Sequence, residues 1–527
     1  MIISSVKSWY SQTSLQSGVA IVTILVFGAI FSMLLVALVS TVVTEEKSLR
    51  ATVDRSTALQ MAESGLEYMR WYLAHNPQDY NGWQNVSKDG DGKYVFTEDY
   101  VDPITAEVTG ELEYVVTPEE FCGLTSSASV LVTATSFADG QSYAIEQVHA
   151  KDTAANYAYI YNDDVAAGSD RLIRGRYHSN SEVEMNGKND SVVSSSQTDG
   201  VYGNPVNPLA RTDLWQDEVG TIDFNALSLD LSAVRDAADT YNGSPAGDDL
   251  NDRLFETSQS CYNYSCWGGW WYGWQTCQSC SGGEAFEVEL VSDGDTDNAS
   301  IKVWELSDLT EISRSNVSNE NEKYCGPGSS VDFSDYDDSD HVIENIPTCD
   351  DGRSSYLGEF ALDNSCPVAF FDGDVFLHGT ADSKLLIASG DLDSVEDTNV
   401  YLFNTINYAS TDGSDGLTVV SEGDIKIPYS VPDDMGVRGI FIAQSGRYGR
   451  DNYTGSRFGA RDFLQTVGTI VSNEGGGTQW VSSGGSFVSG FRDRENYYDR
   501  SLARRPPPLT PTVTENYSYV EWRDEQN

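Results

Sequence analysis

Residues 19–43 of this chain, VAIVTILVFGAIFSMLLVALVSTVV, are twenty-five consecutive positions without a charge. As an α-helix they span ~38 Å, enough to cross a ~30 Å hydrocarbon layer with some tilt. No turn signal follows them. Instead Ala58, Met61, Ala62, Gly65, Leu66, Met69 and Leu73 recur at steps of three and four, with Arg55, Gln60, Glu63, Glu67 and Arg70 on the other faces. That pattern predicts one helix, apolar all round in its first half and amphipathic in its second. His75-Asn76-Pro77 should end it, because proline lacks a backbone donor and disfavours a helical predecessor. Lys7 ahead of the span and Glu45-Glu46 behind it predict a cytoplasmic N-terminus with the bulk of the chain outside.

The residues around this helix resemble a known class. A short leader with Lys7 ends in Gln16-Ser17-Gly18, and the apolar run starts at Val19. This resembles a class III leader (residues 1–18), which implies cleavage between Gly18 and Val19 by a prepilin peptidase. Gln16-Ser17-Gly18-Val19-Ala20 and the later Ala58-Leu59-Gln60-Met61-Ala62-Glu63-Ser64-Gly65-Leu66 resemble the N-terminal region of PilX-type minor pilins. Major pilins carry Glu at the fifth mature position, where it neutralises the amino terminus of a neighbouring subunit; here that position is Thr23. The departure also resembles the PilX type and the K-type pseudopilins, which sit at or near a fibre tip. A buried carboxylate without a partner is costly, so a subunit with no neighbour ahead of it has no use for that Glu. The resemblance covers residues 16–73 and implies assembly through a helix carrying Thr23, Gly28, Leu34 and Leu38.

The 527 residues leave room for two to four domains. A net charge of −49, from 81 acidic and 32 basic side chains, predicts self-repulsion at low salt and little non-specific affinity for nucleic acid. An aromatic content of 11% argues for folded rather than disordered chain. Eight cysteines on an exported ectodomain belong in an oxidising compartment and should mostly pair.

The expected fold class is α+β. After the long helix (19–76, with 19–43 transmembrane), alternating runs at 106–116, 127–137 and 142–150 predict a small antiparallel sheet in residues 77–152, packed on Leu66, Met69 and Leu73. Asp89-Gly90-Asp91-Gly92 reads as a turn rather than a calcium loop, since the full ligand spacing is missing. Residues 153–242 and 367–503 are short β-rich runs separated by Gly, Asn, Asp and Ser, which suggest a β-solenoid ahead of a sandwich. Residues 226–241 look like one amphipathic helix. Residues 243–366 read as a cysteine- and aromatic-rich insertion holding Cys261, Cys266, Cys277, Cys280, Cys325, Cys349 and Cys366, all candidates for disulfides. Residues 504–527 read as a proline-rich strap and a tail in which 517–522 adds an edge strand.

Three constellations merit a reading. In residues 261–280, CYNYSCWGGWWYGWQTCQSC, Trp267, Trp270, Trp271 and Trp274 lie between cysteine pairs. Such rings either face a sugar, an apolar surface or a protein, or form the core of a small module. The cysteine spacing also fits zinc, although oxidising surroundings favour disulfides. Asp293, Asp295 and Asp297 alternate as calcium ligands would, but Asn298 replaces the turn glycine and Glu305 falls one residue late, leaving a solvated acidic loop as the alternative. Residues 438–505 carry ten arginines against six acids, suited to an acidic partner or to pairing within the protein.

No cofactor is implied beyond a possible calcium ion. The five histidines lack metal spacing, and no nucleophile-elbow, zincin or phosphate-loop motif occurs, so an enzyme is not expected. The expectation is a minor pilin-like subunit, held in the inner membrane before assembly and displayed on a pilus afterwards, acting in assembly initiation and adhesion. Its expected partners are other pilins, the assembly platform, prepilin peptidase, the membrane, and a carbohydrate or cell-surface ligand. The alternatives are a single-pass anchored adhesin and a carbohydrate-active solenoid outside any fibre.

Overall fold

The computed structural model describes residues 14–76, 79–102, 104–138, 141–205, 211–241, 253–258, 260–267, 274–281, 285–292, 298–306, 310–312, 322–324, 354–363, 366–392, 397–429, 431–453 and 459–525. Helix α1 runs unbroken through Ser14–His75, ~93 Å at the usual rise. Asn76 closes it, its backbone amide and its side-chain amide both donating to the Tyr72 carbonyl at 2.9 and 3.1 Å. Every residue from Val19 to Val53 is exposed. The predicted stripe of Ala58, Met61, Ala62, Gly65, Leu66, Met69 and Leu73 is buried.

That stripe packs on a five-stranded antiparallel sheet. Its first four strands follow one another: β1 (Tyr94–Val101), β2 (Val108–Phe121), β3 (Leu124–Ala138) and β4 (Gln141–Thr153). The fifth is the C-terminal strand Thr512–Glu525, which pairs with β4. Alternate residues of β2 to β4 face the helix. Leu112, Tyr114, Val116, Val130, Val132, Ala134 and Ile145 join Met61, Leu66, Met69 and Leu73 in one cluster. Ser136 Oγ donates to the Ala58 carbonyl at 2.6 Å where the helix first meets the sheet.

Everything between Thr153 and Thr512 is thus inserted between two adjacent strands of this headpiece. The chain leaves and returns at one point, where the Ala154 amide donates to the Pro511 carbonyl at 2.9 Å. The inserted part has its own core, built on a 21-stranded sheet whose pairings are mostly parallel. One column of that sheet takes one residue from each pass of the chain: Ala369, Ile387, Val419, Phe441, Ile470, Tyr159, Tyr177, Val193 and Trp215 are successive partners. A second column runs Ile406, Val437, Thr466, Asn496, Ile173 and Asn189, and a third joins Val400, Ile425 and Tyr448. Neighbouring passes bury each other's apolar residues, so no pass is stable alone. At one corner Gly439 and Gly468 are paired, with φ of +155° and +128°. A Cβ on Gly468 would lie 2.0 Å from the Gly439 carbonyl oxygen, so this corner admits only glycine.

The order of the column is not the order of the chain. The first passes (157–216) stack beyond the last ones, on Ile470-Val471-Ser472. Buried polar groups hold this out-of-sequence joint. Arg494 makes two hydrogen bonds to the Asp170 carboxylate at 2.8 and 2.9 Å, and Arg171 donates to Tyr159 Oη at 2.6 Å. The chain then returns to the other end through two short helices, α2 (Phe224–Leu227) and α3 (Leu231–Tyr241).

Several boundaries differ from those expected. The single helix over 226–241 is split, because Asp230 turns its carboxylate onto the amides of Ser232 and Ala233 at 3.1 and 3.3 Å and starts α3 afresh. The stretch 243–366 does not stand wholly apart. Leu254–Glu256, Ala285–Val291, Asn298–Leu306 and Ser354–Asp363 all join the 21-stranded sheet, since Phe255, Phe286, Val288, Ile301 and Phe360 complete its core. Cys366 is bonded to Cys122, at the β2–β3 turn of the headpiece, and not to a cysteine of the insertion. Arg504 closes a short helix, α4 (Arg500–Arg504), before the prolines begin.

Candidate functional site

The exposed half of α1 is the feature that packing within the chain leaves unexplained. Val19, Leu34 and Leu38 expose 67%, 63% and 63% of their surface, a degree at which a water-facing helix would carry charge. Most hydroxyls on it are satisfied within the helix. Thr23 Oγ1 donates to the Val19 carbonyl at 2.8 Å, Ser32 Oγ to Gly28 at 2.7 Å, and Thr44 Oγ1 to Ser40 at 2.8 Å. A helix whose backbone and most hydroxyls are bonded internally loses little on entering an apolar medium. A Cβ on Gly28 would meet no atom within 4 Å, so that flank is open to a neighbour. By length and composition α1 is, among the described residues, the helix able to cross a membrane.

The second half of α1 is rigidly seated. Gly65 lies under the Tyr114 ring, where its own Cβ would approach Cε1 to 3.2 Å. Tyr114 is fixed by donating to Glu98 Oε1 at 2.7 Å, and Trp83 sits edge-on to Tyr68, Tyr72, Phe96 and Tyr114. Asp89 forms a side-chain turn, accepting from the Asp91 and Lys93 amides at 2.9 and 2.8 Å.

The tryptophan-rich stretch forms an antiparallel hairpin of Ser260–Trp267 and Trp274–Ser281, in which Cys261 stands opposite Cys280 and Trp267 opposite Trp274. Cys266 is opposite Gln275 and Cys277 opposite Tyr264. Trp270, Trp271, Cys325, Cys349 and the three calcium candidates Asp293, Asp295 and Asp297 lie outside the described residues. Gly18 is the fifth residue of α1. Among the described residues no cluster of His, Cys, Asp and Glu is arranged to hold a metal.

The arginines of 438–505 are mostly used inside the protein. Arg450 is buried, donates to the Pro428 and Tyr429 carbonyls, and lies 4.6 Å over the Tyr453 ring. Arg461 pairs with Asp433, Arg447 with Asp451 at 2.6 Å, and Arg494 with Asp170. Arg500, Arg504 and Arg505 are exposed beside the headpiece. Cys122, which sequence reasoning passed over, had no local signal beyond being the one cysteine outside the cluster.

No family model matches the chain, and no curated protein does. Among solved structures, the crystal structure of the competence-associated pilin ComZ from Thermus thermophilus is similar over 89% of this chain and 96% of that one, at 10% identity and a TM-score of 0.31. A likeness of that size carries no argument about fold or role.

Proposed function

We propose that this chain is a minor pilin-like subunit of a type IV pilus or related pseudopilus, placed at or near the tip, where it initiates assembly and presents its inserted domain to a surface. The observation that carries this reading is the division of α1. Its first half, bare and apolar, suits a lipid bilayer and then a bundle of like helices; its second half is docked along an antiparallel sheet. The inserted domain, whose stacked parallel passes we read as a β-solenoid, rises from the edge of that sheet and is bulky enough to obstruct further subunits stacked beyond it. The absence of a charge at Thr23 fits a subunit with no neighbour ahead of it. The tryptophan-bearing hairpin is the adhesive element in this reading, and the role is structural rather than catalytic.

The test is the mature N-terminus, read by mass spectrometry on protein recovered from the cell surface, for the wild type and for Gly18→Ala. A chain starting at Val19 in the wild type, and retaining its leader in the variant, is the expected result. An intact leader in both sinks the assembly role and leaves a membrane-anchored surface protein.

A further inference from the structure

Where the headpiece meets the inserted domain there is a cleft of about 1120 Å³. The headpiece contributes Glu119, Phe121 and Lys151 to its walls; the inserted domain contributes Lys384, Asp412 and the helix α4 with the prolines after it. The Cys122–Cys366 disulfide fixes the two walls together, since Phe121 and Pro367, next to its two cysteines, both line the cleft. In a chain of net charge −49, the described residues of this lining include Lys151, Lys384, Arg500, Arg504 and Arg505 against only Glu119 and Asp412.

The two acids are engaged locally. Glu119 accepts from Ser129 Oγ at 2.7 Å, and Asp412 accepts from the Ser414 amide and hydroxyl at 2.9 and 2.7 Å. Lys384 is half-buried, and its ammonium makes no hydrogen bond or ion pair with any described residue. Burial, and then the charge of Arg505, disfavour its ammonium, with Glu119 opposing them, and its pKa is lowered to about 8. A cation held in this way gains when an anion enters beside it.

We propose that this cleft accepts an acidic peptide segment of a partner protein, with carboxylates seated on Lys384, Arg500 and Arg504. Arginine forks and a desolvated lysine both favour carboxylates that arrive with little water. The alternative polyanion, single-stranded nucleic acid, needs a row of aromatic faces for its bases, and among the described residues Phe121 is the one aromatic ring in the lining. A peptide also offers backbone amide donors to Glu119 and Asp412, which a phosphodiester backbone lacks. The inference does not depend on the fibre role of α1.

The test uses the full chain in detergent at low salt, titrated against a fluorescein-labelled decaglutamate peptide and read by fluorescence anisotropy. Saturable binding is expected, with none for decaglutamine. Lys384→Gln and Arg504→Gln should each weaken it by at least about tenfold, as loss of a charge-assisted hydrogen bond does. Lys384→Arg should retain it, and Arg211→Gln, which removes a cation outside the cleft, should leave it unchanged. Arg504 is exposed, so its variant reads the cleft even if Lys384→Gln fails to fold. Absent binding, binding indifferent to both cleft variants, or tighter binding of decathymidylate with the same dependence on Lys384, each overturns the proposal.

Discussion

The Cys122–Cys366 bond joins a headpiece turn to the inserted domain across 244 residues of sequence. Its removal is the sharpest test of how the two parts are held together. In the chain-entropy treatment, a closed loop of that length removes about 18 cal/mol/K from the unfolded ensemble, or about 5.5 kcal/mol at 25 °C. Native disulfides deliver about 2–5 kcal/mol in practice, because the unfolded chain is not a free coil. Both cysteines are buried, Cys366 completely, so alanine is the replacement that leaves no hydroxyl without a partner. The double variant Cys122→Ala/Cys366→Ala, made with the other six cysteines untouched, should therefore lose about 2–5 kcal/mol. With a urea m-value of about 3 kcal/mol/M, the midpoint falls by about 1 M. Intrinsic fluorescence under non-reducing conditions follows the transition. An unchanged midpoint with an unchanged slope would refute the reasoning and show that the crossing at Ala154 and Pro511 suffices to hold the domain on the headpiece.

Two further outcomes are expected. His149 is fully buried in β4, neither ring nitrogen has a hydrogen-bond partner among the described residues, and burial followed by the nearby Arg70 charge lowers its pKa from 6.5 to about 4. The unfolded chain takes up a proton below about pH 6.5 that the folded chain refuses until about pH 4, so stability falls by about 3 kcal/mol as pH drops through that window. Urea midpoints at pH 7 and 4.5 should show a larger acid loss in the wild type than in His149→Leu, and an equal loss in both would contradict this. At the helix–sheet contact, Gly65→Leu forces a side chain into the Tyr114 ring and should cost about 1–3 kcal/mol or more, read as a lower Tm and faster proteolysis of α1 after residue 44. A variant as stable as the wild type would mean that the helix does not sit against Tyr114.

Much of the helix was legible because its information is local. Twenty-five uncharged residues and a stripe at 3.6-residue spacing each name their own environment, and Pro77 names the end. The same holds for β2, β3 and β4, whose alternation shows which residues face Leu66 and Met69. The split between α2 and α3 was less visible, since Ser228 and Asp230 fit a helical pattern until the Asp230 carboxylate is seen to prefer the backbone amides ahead of it.

Three features were decided only by tertiary structure, for one reason: each depends on which distant segments become neighbours. Tyr159 stacks on Ile470 although they are 311 positions apart in sequence, and nothing local to either announces it. Cys366 sits in sequence beside the cysteines of the insertion, yet its partner is set by where the β2–β3 turn comes to rest. The cleft around Lys384 draws its cations from β4, from the inserted domain and from α4, so no window of sequence contains it. By itself the sequence determined what each segment tolerates around it. The fold decided which segments meet, because the entropy cost of bringing such distant parts together is repaid only by the whole set of contacts at once.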